Sequence, residues 1–310
     1  MNASCLFDAH CDTLMRCWET GESLISNGGA VDLDRLGEYG RCCQVFALFA
    51  LDSMDPAKGS ERICREELDI LLRAVSEYPD RIALCRSGAE IRRANREGRV
   101  AALVSVEGAH SLGCSIETLR AAYDAGVRAV NITWNNANIL SGSHCEEPER
   151  GLSPDGRVFV EEMGRLGMLP DVSHLSDPGF WDVVEVSQMP VIASHSNSRA
   201  VCPNTRNLTD AQFTAIIKRQ GIVGLNLCRE FVGLGEDVDG LVAHVEHFLA
   251  LGGEHTVALG GDLDGCGPVD GIPDSARWPA LWEALARRNY KESLLEDLFY
   301  NNLMRVVDQL

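Results

Sequence analysis

The run Val100-Ala101-Ala102-Leu103-Val104-Ser105-Val106-Glu107-Gly108 is almost wholly apolar, then stops on a carboxylate and a glycine. A short run without polar alternation reads as a strand buried on both faces, and such strands belong to parallel sheets covered by helices. Working outward, comparable runs occupy residues 4–9, 43–49, 129–133, 168–172, 190–193, 222–226 and 256–260. Stretches of helical period separate most neighbours. Thr209-Asp210 opens one of them, and Gly221 stands where a C-terminal cap would close it. Eight such units predict an α/β fold of the (β/α)8 TIM-like barrel type.

A length of 310 residues suits one barrel with a few long loops, and no repeat, low-complexity tract or linker divides it. A single domain over residues 1–310 is expected. Apolar residues at 45% and charged residues at 24% supply a core and exclude disorder. The formal charge of −18 disfavours nucleic acid and anionic lipid surfaces as partners. The first residues lack a basic and apolar export signal, and no apolar run reaches membrane-spanning length, so a cytoplasmic protein is expected. The 12 cysteines contain no Cys-x-x-Cys pair and read as reduced, mostly buried thiols, with Cys42 and Cys43 packing in the core.

In a parallel barrel the loops after the C-terminal strand ends converge on one mouth, where the chemistry sits. His10 and Asp12 end the first strand two residues apart, so both side chains leave the same face and can reach one cation, while Cys11 points away. Glu107, His174 and His195 end three further strands. Imidazole and carboxylate suit zinc or a similar divalent ion, and a carboxylate can bridge two ions about 3.5–4 Å apart. This predicts one ion on His10, Asp12 and Glu107 and another on Glu107, His174 and His195, so two Zn2+ per chain. Two ions sharing a water lower its pKa toward neutrality, giving a metal-bridging hydroxide nucleophile. Asp262, after the last strand, is placed for the accompanying proton transfer, with Asp264 as second choice. His110 and His144 lie in loops near the mouth. His244 and His247, three apart in a helical stretch, read as a solvated outer face.

These segments carry a specific resemblance. Asp8-Ala9-His10-Cys11-Asp12, Val106-Glu107-Gly108, Asp171-Val172-Ser173-His174, Ser194-His195-Ser196 with Arg206-Asn207, and Gly260-Gly261-Asp262-Leu263-Asp264-Gly265 resemble, in order and separation, the successive motifs of the membrane dipeptidase (renal dipeptidase) family, peptidase family M19. Asn302 with Met304-Arg305 resembles its closing helix, so the likeness spans the chain. The resemblance implies a metal-dependent hydrolase of the binuclear zinc dipeptidase type, with Glu107 bridging and Arg206 gripping the substrate carboxylate. It also implies tolerance of a D-residue at the C-terminal position, small dipeptides as partners, and a homodimer. Arginine suits its role because its planar fork binds carboxylate bidentately.

Two positions depart from the family pattern. Trp134 follows Ile132-Thr133 where the family often has a histidine at the substrate carbonyl, and indole offers one N–H but cannot titrate. Cys228 stands near where some relatives have a tyrosine contacting substrate. The leading expectation is hydrolysis of the peptide bond of dipeptides. The alternatives are a related amidohydrolase acting on another amide or a lactone, and a metal-binding protein without turnover.

Overall fold

Apolar runs buried on both faces assemble here into eight parallel strands of one sheet, in a computed structural model that describes residues 4–310 apart from the Leu234 side chain. They are β1 (Cys5–Cys11), β2 (Arg41–Leu48), β3 (Ile82–Leu84), β4 (Val100–Val106), β5 (Val127–Asn131), β6 (Leu169–Asp171), β7 (Val223–Leu225) and β8 (Val257–Leu259). Pairing runs β6-β5-β4-β2-β1-β8-β7, with β3 hung on β4 outside this path. Residues 190–194 close the ring, because Ile192 bridges Asp171 and Ala193 bridges Val223, both in parallel. The result is the expected barrel.

Two strand expectations need correction. Residues 190–193 form bridges, not a continuous strand: Pro190 has no N–H, and the Ser194 N–H is taken by the Asp171 carboxylate at 3.0 Å. β3 was not among the strands expected from sequence. It pairs with the N-terminal half of β4 (Ile82 with Val100), while β5 takes the C-terminal half (Ser105 with Ala129). β3 therefore adds an outer strand and not a stave.

The helix Asp210–Lys218 starts where expected, with Thr209 as N-cap in a reciprocal capping box with Gln212. Its end differs. The left-handed residue is Gln220 (φ 55°), and Gly221 is required instead because a Cβ there would lie 1.7 Å from the Val191 carbonyl oxygen. Below the barrel, the closing helix Asn302–Val307 is tied to the sheet by Asn302 Nδ2, which donates to Val257 O at 2.8 Å, and by Arg305, which donates to the Gly221 and His255 carbonyls. The floor is sealed, which leaves the opposite end for the site.

Gly224 and Gly260 both approach the Ser194 carbonyl, and a Cβ on each would sit 1.9 Å and 1.8 Å from its oxygen. Ser194 precedes His195, so these glycines let the staves close around the histidine. Gly260→Ala should destabilise the fold by about 2–3 kcal/mol through overpacking against backbone. Urea titration checks this, and an unshifted midpoint would show that the contact is easily relieved.

Candidate metal centre

β1 delivers His10 and Asp12 to the mouth together, their Nε2 and Oδ2 atoms 3.4 Å apart, while Cys11 turns away to donate to the Val45 carbonyl. Glu107 follows the end of β4, two staves away from β1. Its Oε2 lies 3.8 Å from His10 Nε2, and its Oε1 lies 2.9 Å from His174 Nε2 and 3.3 Å from His195 Nε2. The two imidazole Nε2 atoms are 2.9 Å apart, and the His10 and His195 rings stack at 3.8 Å. All five side chains are buried. The structure thus brings every expected ligand to one place, with the two Glu107 oxygens facing different groups of partners.

Two buried carboxylates hold the staves in register. Asp171 Oδ1 accepts from Ser173 N and Ser194 N, the amides immediately before His174 and His195. Asp8 Oδ1 accepts from His10 N and Gly261 N, beside Asp262, and Asp8 Oδ2 accepts from Trp278 Nε1. His174 (φ 72°) and Asp262 (φ 55°) sit in the left-handed region that non-glycine residues seldom adopt, a conformation such clamps can enforce. Gly265 is needed at the turn after Asp262, since a Cβ would lie 2.0 Å from Asp12 Oδ2.

The donor chemistry asks for cations. His174 Nδ1 lies 2.9 Å from the Asn135 amide oxygen and must donate to it, which leaves its Nε2 as a lone pair aimed at Glu107 Oε1 and at His195 Nε2. Acceptors therefore face acceptors. Both ring nitrogens of His10 and Asp12 Oδ1 are buried with no partner. Such groups are costly unless a positive charge sits among them. A mixed imidazole and carboxylate set fits zinc.

Burial lifts the Glu107 carboxyl well above its usual range, and Asp12 and Asp262 push it further, with His10 opposing. Burial also raises Asp262, to about 7, with Asp12 adding to the shift. Burial alone would depress His10, but Glu107 and Asp12 carry it up to about 10. Burial, then the Arg206 charge among neighbouring cations, holds His174 well below the usual imidazole range; burial and His10 do the same to His195.

The raised His10 value stabilises the metal-free chain fully below its ordinary 6.5, and that contribution is lost as pH rises through about 10. Metal must displace this proton. Apparent metal affinity should therefore climb at least about tenfold per pH unit between roughly pH 7 and 9. Competition against a chromophoric chelator measures this, and a flat profile would contradict a protonated His10.

Around the cluster, Asn226 Nδ2 donates to Asp262 Oδ2 at 2.9 Å, and Asp262 lies close enough to His10 and Asp12 to complete a three-residue group. Asp264 faces elsewhere, accepting from Thr13 Oγ1 at 2.6 Å and Ala30 N at 2.7 Å. This separates the two aspartates: only Asp262 meets the cluster. Arg206 is buried. Its Nη1 donates to Ser196 Oγ at 2.7 Å, its Nε and Nη2 have no partner, and its guanidinium lies 5.7 Å from the Phe231 ring. Trp134 tilts against Phe49 at 4.9 Å and lies 6.3 Å from the His174 ring, so it forms an aromatic wall beside the cluster. Cys228 is half-buried in the loop after β7, where its thiol meets that of Cys266.

The remaining histidines divide. His144 joins the periphery, with Nε2 3.0 Å from the same Asn135 oxygen that holds His174 and Nδ1 3.1 Å from Thr205 Oγ1. His110 instead contacts the Ala50 carbonyl at 2.9 Å. His244 is fully buried, against expectation, accepting from Ser198 N at 3.1 Å and lying 3.0 Å from the Val232 carbonyl. Its spacing from Leu241 and Phe248 put it on the inward stripe, a signal present in the sequence. His247 pairs with Asp210 at 2.7 Å. Asn135, Ser196 and Asn226 were not singled out as functional from sequence, although each lies within two residues of an expected site residue or at a strand end.

A barrel that gathers buried imidazoles and carboxylates at its C-terminal mouth defines a metal-dependent hydrolase. The family profile described as Membrane dipeptidase (Peptidase family M19) matches residues 1–310, and the chain belongs to that family, as a hydrolase of the dipeptidase type. It is 35% identical over 255 residues to an uncharacterized protein in the pqqA 5' region of Klebsiella pneumoniae, covering 78% of this chain and 94% of that one. It is 33% identical over 291 residues to Dipeptidase 3 of Mus musculus, covering 91% of this chain but only 58% of the mouse protein. Among solved structures, a metallo peptidase from Rhodobacter sphaeroides, liganded with a phosphinate mimic of the dipeptide L-Ala-D-Ala, superposes with a TM-score of 0.90 at 27% identity over 99% of both chains. The dipeptidase AC, a family M19 metallo peptidase, gives 0.89 at 27% identity with the same coverage. No described helix is long and apolar enough to cross a membrane.

Proposed function

We propose that the chain acts, as one domain, as a binuclear zinc dipeptidase that releases the C-terminal residue of a dipeptide and accepts a D-residue there. The observation that carries this reading is the buried Arg206 fork, with two unpartnered nitrogens beside a cluster of facing acceptors. His10, Asp12 and Glu107 would hold one ion, and Glu107, His174 and His195 the other. The chemistry a zinc pair supplies when bound is Lewis acidity toward the scissile carbonyl and acidification of water.

The chain's own residues do the rest. Arg206 takes the substrate carboxylate on its free Nε and Nη2, with Phe231 and Ser196 fixing the guanidinium plane. Asp262, oriented by Asn226, accepts a proton from the attacking water and returns it to the leaving amine. Trp134 and Phe49 wall the acyl side, and Cys228 borders the carboxylate side. The L-Ala-D-Ala mimic held by the Rhodobacter sphaeroides relative supports the D-residue.

Comparing L-Ala-D-Ala, L-Ala-L-Ala and their C-terminal amides tests the reading. Both free acids should turn over and the amides should not, since they offer Arg206 no carboxylate. Equal turnover of the amides would refute the carboxylate grip. It would favour action on another amide or a lactone, a reading that Trp134 also supports by placing an aromatic wall where the family often has an imidazole.

A further inference from the structure

The loops after β7 and β8 run antiparallel across the rim of the mouth. Cys228 bridges Pro268, with Val269 N donating to Leu227 O at 2.9 Å and Arg229 N to Gly267 O at 3.2 Å. The bonds of neighbouring residues enclose Cys228 and Pro268, so these two form the closer, non-hydrogen-bonded kind of cross-strand pair. Cys266 lies two residues before Pro268, at the end of the turn that its N–H closes on Asp262 O, and so beside Cys228 on the rim. The two thiols lie close enough to act on each other's titration. Both cysteines are free and half-buried, Gly265 and Gly267 beside them are exposed, and a Cβ on Gly267 would meet nothing within 4 Å. A small oxidant can reach the pair.

We propose that Cys228 and Cys266 form a dithiol oxidation site that takes a hydroperoxide and closes to a disulfide across the rim. The Cys228 thiolate attacks the distal peroxide oxygen, the O–O bond breaks, and an alcohol, or water from hydrogen peroxide, leaves with a proton. Sulfur is oxidised to sulfenic acid. Cys266 then attacks that sulfur, the S–S bond forms, the S–O bond breaks, and hydroxide leaves as water with the Cys266 proton. Two thiols and one hydroperoxide thus give one disulfide, one alcohol and one water.

The local electrostatics assign these roles. The interaction between the two thiols lowers Cys228 below the ordinary thiol range and raises Cys266 far above it, so Cys228 attacks and Cys266 resolves. The other cysteines near the mouth lack this arrangement. Exposed Cys145 contacts His144 and not a second thiol, and Cys202 donates to the Glu230 carbonyl.

The disulfide would act on the site through two connections. Cys228 leads into the helix Arg229–Val232, which carries Phe231 under Arg206. Cys266 N donates to Asp262 O at 3.1 Å. Locking the two loops should lower kcat/KM for dipeptides by roughly fivefold or more, reversibly with dithiothreitol. Only this activity effect rests on the dipeptidase reading; the thiol chemistry stands apart from it.

The test treats metal-loaded protein with hydrogen peroxide, alkylates the remaining thiols and maps peptides by mass. The expected result is a peptide pair linked through Cys228 and Cys266, two hydrogens lighter, that is lost on reduction. Cys266→Ser should give no link and should instead accumulate a dimedone-reactive sulfenic acid at Cys228. A link from Cys228 to Cys202, or oxidation of Cys145 with Cys228 and Cys266 left alkylated, would overturn the proposal.

Discussion

Glu107→Gln should abolish dipeptide hydrolysis, with a fall in kcat/KM on the order of a thousandfold or more, about 4 kcal/mol in transition-state terms. The two Glu107 oxygens face different candidate ligands, Oε2 toward His10 and Oε1 toward His174 and His195. An amide keeps the shape but loses the charge and one acceptor, so it cannot serve both sides. Stability distinguishes this loss from unfolding. In the metal-free chain the buried carboxylate is driven toward its protonated form by burial and by Asp12. The glutamine variant without metal should therefore melt at or above the wild-type temperature, while the stabilisation that zinc gives the wild type by binding only the folded chain should shrink. A variant that keeps full zinc stabilisation and activity would remove Glu107 from the centre.

Arg206→Met should raise KM for dipeptides steeply. Two charge-assisted hydrogen bonds of about 1.5–3 kcal/mol each correspond to a loss on the order of a thousandfold in kcat/KM. Arg206→Lys should recover only part of it, since an ammonium keeps the charge but not the planar fork. Zinc binding should survive in both variants, because Arg206 contacts the centre through Ser196 and not through a ligand. Unchanged KM in Arg206→Met would move the carboxylate grip elsewhere and favour a neutral substrate.

The fold was legible wherever a strand was long enough to show its burial pattern, as in β1 and β4, where every residue is buried. It was not legible where pairing rather than composition makes the stave. Ile82–Leu84 is a strand only because Val100–Ala102 lies beside it, and residues 190–193 look like a strand but begin on Pro190, which has no N–H, and end where Asp171 takes the Ser194 N–H. The candidate ligands were readable because strand ends with imidazole or carboxylate must share one mouth, and His10 and Asp12 share a face by the period of two. Their supports were not readable. The Asp8 bond to Gly261 joins residues 253 apart, Asp171 reaches 23 residues to Ser194, and Asn135 reaches 39 to His174. Arg206 drew attention only through resemblance, since its distinctive features are burial and unpartnered nitrogens, which no sequence displays. His244 was misjudged because its pairing with His247 drew the eye from its spacing with Leu241 and Phe248.

If two metal ions sit on these five side chains, dipeptide hydrolysis must depend on them. The most direct measurement counts metal per chain in native, chelator-stripped and zinc-restored protein while assaying L-Ala-D-Ala hydrolysis on the same samples. About two zinc ions per chain, with activity lost on stripping and regained in proportion to occupancy, is the predicted result. Turnover that persists in the stripped protein, or a chain that binds no metal, would contradict the account.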